Sequence, residues 1–446
     1  MKSFRGKTRV AMLLSILLLW SSFSVCLADD SKISPDLRGL SSNSVVDVIV
    51  QYKSIPQSTS GGGLLGGLLG GIPIVGPLLN AVVKVTLGLL NAVVYTLTMQ
   101  SVRELSEDPN VIYISRDRPV GASLEFANPT TGASIAFSQG YRGAGVGVAI
   151  IDSGINNHAD FKTLLLSRVV YSQSFVKGDS RTSDPYGHGT HVAGIVAGDA
   201  GLSSGLGAKN TFRGMAPAAR LINLRVLDAN GAGTDSAVIR AIERAISLKS
   251  KYNIRVINLS LGRPVYESFT KDPLCKAVEK AWLNGITVVV AAGNEGRNNT
   301  FGTRGYGTVM SPANHPSVIT VGAMKDMGTV SRGDDLIATY SSKGPTQIDH
   351  IVKPDIVAPG NRIISLLSDN SVLRSNSGSA TLVPLNYYLP TSSTRPSSDY
   401  YRLSGTSMAA PMVSGTAALM LAEEPGLKPD QVKARLMKTA TKSFPA

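Results

Sequence analysis

An aspartate, a histidine and a serine lie far apart in the sequence, each in a run of small residues. Side chains of these three types can act together in nucleophilic catalysis. The first is Asp152, which follows the apolar run Val146 to Ile151. That run predicts a buried strand, and the catalytic groups of open α/β sheets gather where such strands end. An aspartate in that place is also a common cap or turn residue. Asp152 therefore indicates catalysis only in combination with the other candidate residues.

The second side chain, His188, stands in the run Gly187 to Gly194. Its small neighbours let a helix begin in tight packing, with the imidazole on the first turn. His191 follows on the same predicted helix, and a pair of histidines raises the alternative of a metal site. The sequence holds 5 histidines and no acidic residue in a zinc-binding pattern. We therefore predict no metal site and interpret His191 as a buried structural residue.

The third side chain, Ser407, lies in the run Ser404 to Pro411, which is rich in glycine and alanine. This pattern suits a nucleophile at the start of a helix, where backbone N–H groups face a developing anion. It differs from the Gly-x-Ser-x-Gly turn of the α/β-hydrolases, which argues against that class. Pro411 falls inside the predicted helix and implies a special local geometry.

A fourth polar residue, Asn294, follows another apolar run within Ala291 to Gly296. Its side-chain amide is able to donate a hydrogen bond to an oxyanion, and the neighbouring Gly293 leaves room for a substrate. Taken alone, Asn294 is equally suited to capping a turn.

Together these four residues resemble the subtilisin family, whose triad runs in the chain order Asp, His, Ser. The likeness extends from about Gly140 to the C-terminus. The resemblance implies a serine endopeptidase with Asp152, His188 and Ser407 as its triad and Asn294 in its oxyanion hole. Further stretches that match the family are Val226-Leu227, Gly231 to Gly233, Asn258 to Gly262, and Lys353 to Gly360.

The resemblance also assigns the binding of an extended peptide to two segments, each of which would add the peptide as a strand. Ordinary strand and turn structure is the alternative. Ser311 to Ala313 are expected to line the first specificity pocket, with a broad preference for apolar or unbranched side chains. The residues expected to bind substrate are Ser260, Leu261, Gly262, Gly231 and Gly233.

Calcium is the cofactor that the resemblance raises, whereas the chemistry requires none. Asp160 resembles a calcium ligand of the family. The stretch Asp199 to Phe212 does not resemble the usual calcium loop. A structural calcium ion therefore stays an open question.

The elements that must position these residues indicate an α/β protein. Continuous apolar runs rich in β-branched residues predict strands of a mostly parallel sheet, and helical crossovers between them predict helices on its faces. The expected architecture is the three-layer subtilisin-like fold. A Ser/Thr-rich stretch, Asp369 to Arg402, is expected to be a surface excursion. Beyond the run before Asp152, the predicted strands are Leu221 to Val226, Val256 to Leu259 and Ile286 to Ala291, and the predicted helices are Ser236 to Ser250 and Pro273 to Asn284.

The N-terminus has the pattern of a secretory signal peptide over residues 1–28. Four basic residues precede the apolar stretch Val10 to Trp20, and small or polar residues lead to a cleavage site after Ala28. A membrane anchor is the alternative, but the apolar stretch is short for a span. We expect an exported, extracellular protein with no stable membrane span in its mature form.

Residues 29–118 are expected to form a small α+β unit with an antiparallel sheet, and 119–446 to form the peptidase domain. The smaller unit resembles the family's inhibitory propeptide, which assists folding and blocks the active site of its own chain until it is removed. Cleavage is expected between Arg118 and Ala127. Residues 61–83 form a Gly/Leu-rich insertion within the propeptide, with a membrane-surface or partner-binding role as the alternative to a discarded segment.

Composition narrows the remaining classes of function. The 446 residues are 43% hydrophobic and carry a net charge of +13, but no compact basic tract predicts nucleic-acid binding. Cys26 is expected to be removed with the signal peptide, which would leave Cys275 without a disulfide partner in the chain. The expected partners are polypeptide substrates. Alternatives are a catalytically silent binding or adhesion protein on a protease scaffold, and a maturation protease dedicated to one partner.

Overall fold

The computed structural model describes residues 29–33, 35–54, 82–87, 92–116, 131–163, 166–300, 302–376 and 378–442. The predicted signal peptide and nearly all of the insertion at 61–83 lie outside these ranges. The chain divides into two compact units between Pro119 and Val120. None of the helices in the described ranges combines the length and apolar character needed to cross a membrane.

The first unit is a small antiparallel sheet with a helix packed on it. Its described strands follow the order β2-β3-β1-β4, and all neighbours are antiparallel. Its buried core includes Val48, Tyr95 and Ile114. The bounds are β1 Val45–Tyr52, β2 Val82–Leu87, β3 Ala92–Thr98 and β4 Val111–Arg116, with helices α1 Pro35–Arg38 and α2 Met99–Ser106.

The second unit is built on a central sheet. The strands described there are β5 Gly147–Asp152, β6 Lys162–Thr163, β7 Leu166–Ser167, β8 Val169–Ser174, β9 Arg220–Arg225, β10 Ile254–Leu259, β11 Thr287–Ala291, β12 Ile319–Lys325, β13 Leu336–Ile337, β14 Ile356–Pro359, β15 Ile363–Leu366, β16 Leu382–Pro384 and β17 Pro396–Leu403. The central sheet has the order β13-β12-β11-β10-β5-β9-β8, with β14 also paired to β12. Its neighbours are parallel except for β12 and β13.

Helices cover both faces of this sheet. Helix α4 packs against α10, and α5 packs against α7, so the unit has three layers. The predicted strands and crossover helices are all present, with ends that differ by a few residues. The helices are α3 Ala133–Ser138, α4 His188–Ala197, α5 Asp235–Ser247, α6 Lys249–Tyr252, α7 Pro273–Leu283, α8 Val372–Ser375, α9 Leu385–Tyr388, α10 Thr406–Glu423 and α11 Pro429–Thr439.

The expectation of a surface excursion over Asp369 to Arg402 is wrong. Strand β17 from this stretch lies between β15 and β16 in a second, antiparallel sheet. Tyr388, Tyr400 and Tyr401 are at most 1% exposed. Burial of these aromatic rings stabilises the packing of the stretch against the domain, although the stretch is rich in Ser and Thr.

Candidate active site

Asp152 and His188 meet where a strand ends and a helix begins. Asp152 is the last residue of β5 and His188 is the first residue of α4. The Nδ1 atom of His188 lies 2.8 Å from the Oδ1 atom of Asp152. Gly189 makes this approach possible, because a Cβ atom there would collide with the carbonyl oxygen of Gly154, just beyond the strand.

The electrostatics of this pair favour a protonated imidazole. Asp152 is 1% exposed and the His188 side chain is 15% exposed. Burial by itself lowers the pKa of His188, but the charges of Asp152 and Asp184 and the hydrogen bond that the ring donates to Asp152 raise it above its ordinary value. Histidine is the side chain that enzymes use most often for general acid–base catalysis.

Ser407 lies at the start of α10, beside the segment expected to bind substrate. Its hydroxyl donates to the carbonyl oxygen of Ser260 at 3.1 Å, and the Ser260 hydroxyl donates to the carbonyl oxygen of Ser407 at 2.9 Å. In this arrangement the Ser407 hydroxyl is turned toward Ser260 rather than toward His188. Catalytic hydrogen bonds are often formed only when substrate is present, so this orientation is compatible with a hydroxyl that turns toward His188 on binding.

Asn294 follows β11 and is anchored through its oxygen. The Oδ1 atom of Asn294 accepts bonds from the backbone N–H of Thr406 at 2.9 Å and from its hydroxyl at 3.1 Å. An amide held in this way presents its Nδ2 group as the donor. The preceding Gly293 has a φ of +107°, which glycine adopts readily, and a Cβ atom there would lie 2.8 Å from the Ser342 hydroxyl.

A cavity of about 630 Å³ brings these side chains together. His188, Ser407 and Asn294 line it, and so do the segments 231–233 and 260–262. The five residues expected to pair with an extended peptide therefore border the same space as His188 and Ser407, and Asp152 lies behind His188. The arrangement places a hydroxyl, an imidazole and an amide donor around one site large enough for several residues of a peptide.

Comparison with known proteins identifies the family. The family model described as the subtilase family matches residues 143–446. The chain belongs to the subtilase family. Within this family it is a subtilisin-like serine endopeptidase, and the predicted family and fold class are confirmed.

Relatives of this subtilase cover most of its length. The serine protease AprX of Bacillus subtilis (strain 168) is 38% identical over 348 residues, which cover 76% of this chain and 71% of AprX. Subtilisin E of the same strain is 35% identical over 357 residues, covering 79% of this chain and 76% of that protein. A solved structure, the S41 psychrophilic protease, has 28% identity and a TM-score of 0.50 and covers 66% of this chain and 83% of that chain.

The specificity pocket expected at Ser311 to Ala313 stays a prediction for this subtilase, and Ser311 pairs with Arg263, next to the segment that ends in Gly262. All three residues are buried, and the Ser311 hydroxyl donates to Asp272 at 2.7 Å. The preceding Met310 also lies beside this segment. Cβ atoms at Gly262 and Gly293 would lie 3.1 Å and 2.9 Å from atoms of its side chain. The Met310 thioether therefore lies between Gly293, which precedes Asn294, and the segment that ends in Gly262.

Asp184 is a residue of the site that the sequence reasoning missed. It is 1% exposed and its carboxylate contacts the backbone on both sides of His188. An acidic residue shortly before the histidine run, in a stretch Asp-Pro-Tyr-Gly, was the available signal. His191, by contrast, is fully buried as expected, and its Nε2 atom contacts the carbonyl oxygen of Ile363 at 3.1 Å.

The surroundings of Asp160 test whether a calcium ion fits. Its Oδ1 atom accepts from the N–H of Leu202 at 3.0 Å, and its Oδ2 atom accepts from the Tyr400 hydroxyl at 2.6 Å. The Arg168 guanidinium donates to the carbonyl oxygens of Asp160 and Ala197 and lies 3.6 Å from the Asp199 carboxylate.

Calcium prefers six or more free oxygen ligands. Here each carboxylate oxygen of Asp160 already accepts a hydrogen bond, and the Arg168 guanidinium places a positive charge beside the residue. Across the part of the chain that the structure describes, no group of three or more His, Cys, Asp or Glu side chains is placed to hold a metal.

Proposed function

We propose that Asp152, His188 and Ser407 are the catalytic triad of this subtilase and that Asn294 completes its oxyanion hole. The observation that carries the proposal is the 2.8 Å contact between His188 and Asp152, made at the wall of the cavity that Ser407 and Asn294 also line. Serine proteases use these three groups for acyl transfer: the serine is the nucleophile, the histidine is the general base, and the carboxylate orients the histidine.

Catalysis begins when the Ser407 hydroxyl turns from Ser260 toward His188. Its Oγ atom attacks the carbonyl carbon of the peptide, and the Nε2 atom of His188 takes the proton. The C–N bond of the tetrahedral intermediate then breaks, and the imidazolium returns that proton to the leaving amine. Water hydrolyses the acyl-enzyme by the same route and restores the Ser407 hydroxyl.

Asp152 acts through His188. By accepting a hydrogen bond from Nδ1–H, it keeps Nε2 as the basic nitrogen and stabilises the imidazolium when that forms. The intermediate's oxyanion receives hydrogen bonds from the Asn294 amide and from the Ser407 N–H at the start of α10. Donors fixed before the reaction stabilise this charge without a cost of reorganisation at that moment.

Substrate is an extended polypeptide that pairs with Ser260, Leu261 and Gly262 on one side and with Gly231 and Gly233 on the other. All five residues line the cavity, which supports this placement. Main-chain pairing gives affinity with little dependence on sequence. Met310, between Gly262 and Gly293, adds an apolar surface suited to apolar or unbranched side chains.

The chain is made as an exported precursor. Residues 1–28 serve as the signal peptide, and 29–118 serve as an intramolecular inhibitor that is removed by cleavage between Arg118 and Ala127. The basic N-terminus followed by an apolar stretch supports export. The separate core of the first unit supports a segment that folds as a domain of its own.

The fold needs no calcium at Asp160. The hydrogen bonds to both of its carboxylate oxygens, together with the buried Arg168, support this part of the proposal. Catalysis by the residues above requires no cofactor.

The full chain and its Ser407→Ala variant test the proposal together. The native protein should hydrolyse an unfolded protein and should shorten itself, with a new N-terminus between Arg118 and Ala127. The variant should do neither. Hydrolysis retained by Ser407→Ala would refute the triad, whereas hydrolysis lost with self-shortening unchanged would show that another protease matures the precursor. A single preferred bond in a diverse peptide library would favour a dedicated maturation enzyme.

A further inference from the structure

The Asp184 carboxylate accepts hydrogen bonds from backbone N–H groups on both sides of His188. Its Oδ1 atom accepts a bond from the N–H of Gly187, and its Oδ2 atom accepts one from the N–H of Thr190, both at 2.7 Å. Helix α4 begins at His188, and its N-cap residue, Gly187, makes no side-chain capping bond. Asp184 therefore caps this helix from outside it, where a negative charge also meets the positive end of the helix dipole.

Ser153 joins Asp184 to the strand that carries Asp152. The Ser153 hydroxyl donates to the Oδ1 atom of Asp184 at 2.7 Å and accepts from the N–H of Gly189 at 2.9 Å. The Ser153 N–H donates to the Oδ1 atom of Asp152 at 2.7 Å. Asp184 is thus bonded to the residues directly after Asp152 and directly before His188.

The carboxylate of Asp184 also acts on the His188 ring by charge. The groups that face this ring are Asp152 at the end of β5, Asp184 and Tyr186 in the preceding loop, and His191 on the same helix. The two carboxylates raise the pKa of the imidazole, whereas burial lowers it. Burial raises the pKa of Asp184 itself, and the bonds from Thr190, Gly187 and Ser153 offset only part of that rise.

We propose that Asp184 is a positioning residue that fixes the His188 imidazole against Asp152 and stabilises its protonated form. The proposal rests on the proposed function, because it assigns Asp184 a part in proton transfer by His188. Asp184 is buried and touches no substrate. It acts on His188 in two ways: its hydrogen bonds hold the first turn of helix α4 in place, and its negative charge stabilises the imidazolium.

The test compares Asp184→Asn with Asp179→Asn in the full chain, after counting active sites with a fluorophosphonate. Asp179 lies in the same loop and pairs with the buried Arg225, so its substitution reports the effect of losing a negative charge and an ion pair from this loop without losing the bonds around His188. In Asp184→Asn the acid limb of the kcat/KM profile should move to lower pH by on the order of half a unit, because a nearby negative charge is removed. Turnover per active site should fall about tenfold, as expected for a displaced catalytic group. Asp179→Asn should leave the limb in place.

An acid limb unmoved in Asp184→Asn, with sites counted, would overturn the electrostatic part of the proposal. Should that variant fail to fold, Ser153→Ala tests the geometric part, since it removes the link between Asp184 and Gly189 but keeps every charge. Turnover per site should then fall while the limb stays, and unchanged turnover would overturn the positioning role. Full activity in His188→Ala would instead remove the proposed function, which is a different result from either of these.

Discussion

Ser407 and Ser260 exchange hydrogen bonds, each hydroxyl donating to the other residue's carbonyl oxygen, at 3.1 Å and 2.9 Å. The proposed nucleophile is thereby tied to the segment expected to pair with substrate. A peptide N–H that donates to the Ser260 carbonyl would replace the Ser407 hydroxyl there and free it to turn toward His188. Such an exchange would link the binding of substrate to the activation of the proposed nucleophile at one oxygen atom.

Removal of the Asn294 amide should slow chemistry far more than it weakens binding. In Asn294→Ala we expect kcat to fall by about 100- to 1,000-fold, the loss known for one such donor in subtilisin, with KM little changed. Steady-state kinetics on a peptide substrate measure both. Asn298→Ala, on the same loop, is the matched control and should retain kcat. Equal losses in kcat and in affinity would contradict the role of Asn294.

The pH dependence of activity should show that His188 is paired with a carboxylate. His188 must be neutral to accept the Ser407 proton, so activity is lost as pH falls through its pKa. Because the net effect of Asp152 and Asp184 outweighs burial and raises that pKa, the acid limb of kcat/KM should lie above about 6.5, the value of a free imidazole. Asp152→Asn should shift the limb downward. A limb below that of free imidazole in the native enzyme would speak against the pairing.

A side chain at Gly189 should separate the imidazole from its carboxylate. In Gly189→Ala the new methyl group collides with the Gly154 carbonyl, so helix α4 must move away from β5. We expect a loss of about 1–3 kcal/mol in the free energy of unfolding and a loss of turnover per folded molecule. Gly378→Ala, where no atom lies within 4 Å of the added Cβ, is the control. Full activity in Gly189→Ala would show that the backbone contact is dispensable.

Chelators should leave the stability of the domain unchanged. The Ser407→Ala chain prevents self-digestion during heating, and its Tm should be the same with calcium and with EDTA. Tyr400→Phe removes a hydrogen bond to a buried carboxylate, worth about 1.5–3 kcal/mol. It should lower Tm more than Tyr388→Phe, which removes a neutral bond to Ser397. An EDTA effect that disappears when Asp160→Asn is added would place a cation at Asp160 after all.

The sequence predicted the central sheet well because its strands are locally encoded. Runs such as Val256 to Leu259 are apolar at every position, which is how strands covered on both faces appear. The positions of Asp152 and Asn294 followed from the ends of such strands. Their pairing with His188 and Thr406 depends on chain crossings that no local pattern encodes, so the resemblance to a family was needed to connect them.

The predictions from sequence failed where polar residues, or aromatic residues in a polar stretch, are buried in the fold. Polar residues dominate 369–402, yet Tyr400 and Tyr401 are buried and bond to Asp160 and to the Gly187 carbonyl. Asp184 looks like a solvated turn residue in the sequence and is instead buried beneath the helix start. Such contacts join residues distant in the chain, and only the folded structure reveals them.

Labelling with a fluorophosphonate tests the central claim most directly. The probe reacts with a serine only when a neighbouring base activates it. Peptide mapping of the native chain should find the label on Ser407, and His188→Ala should lose it while remaining folded. Labelling of another serine, or labelling of Ser407 that persists without His188, would contradict the triad of Asp152, His188 and Ser407.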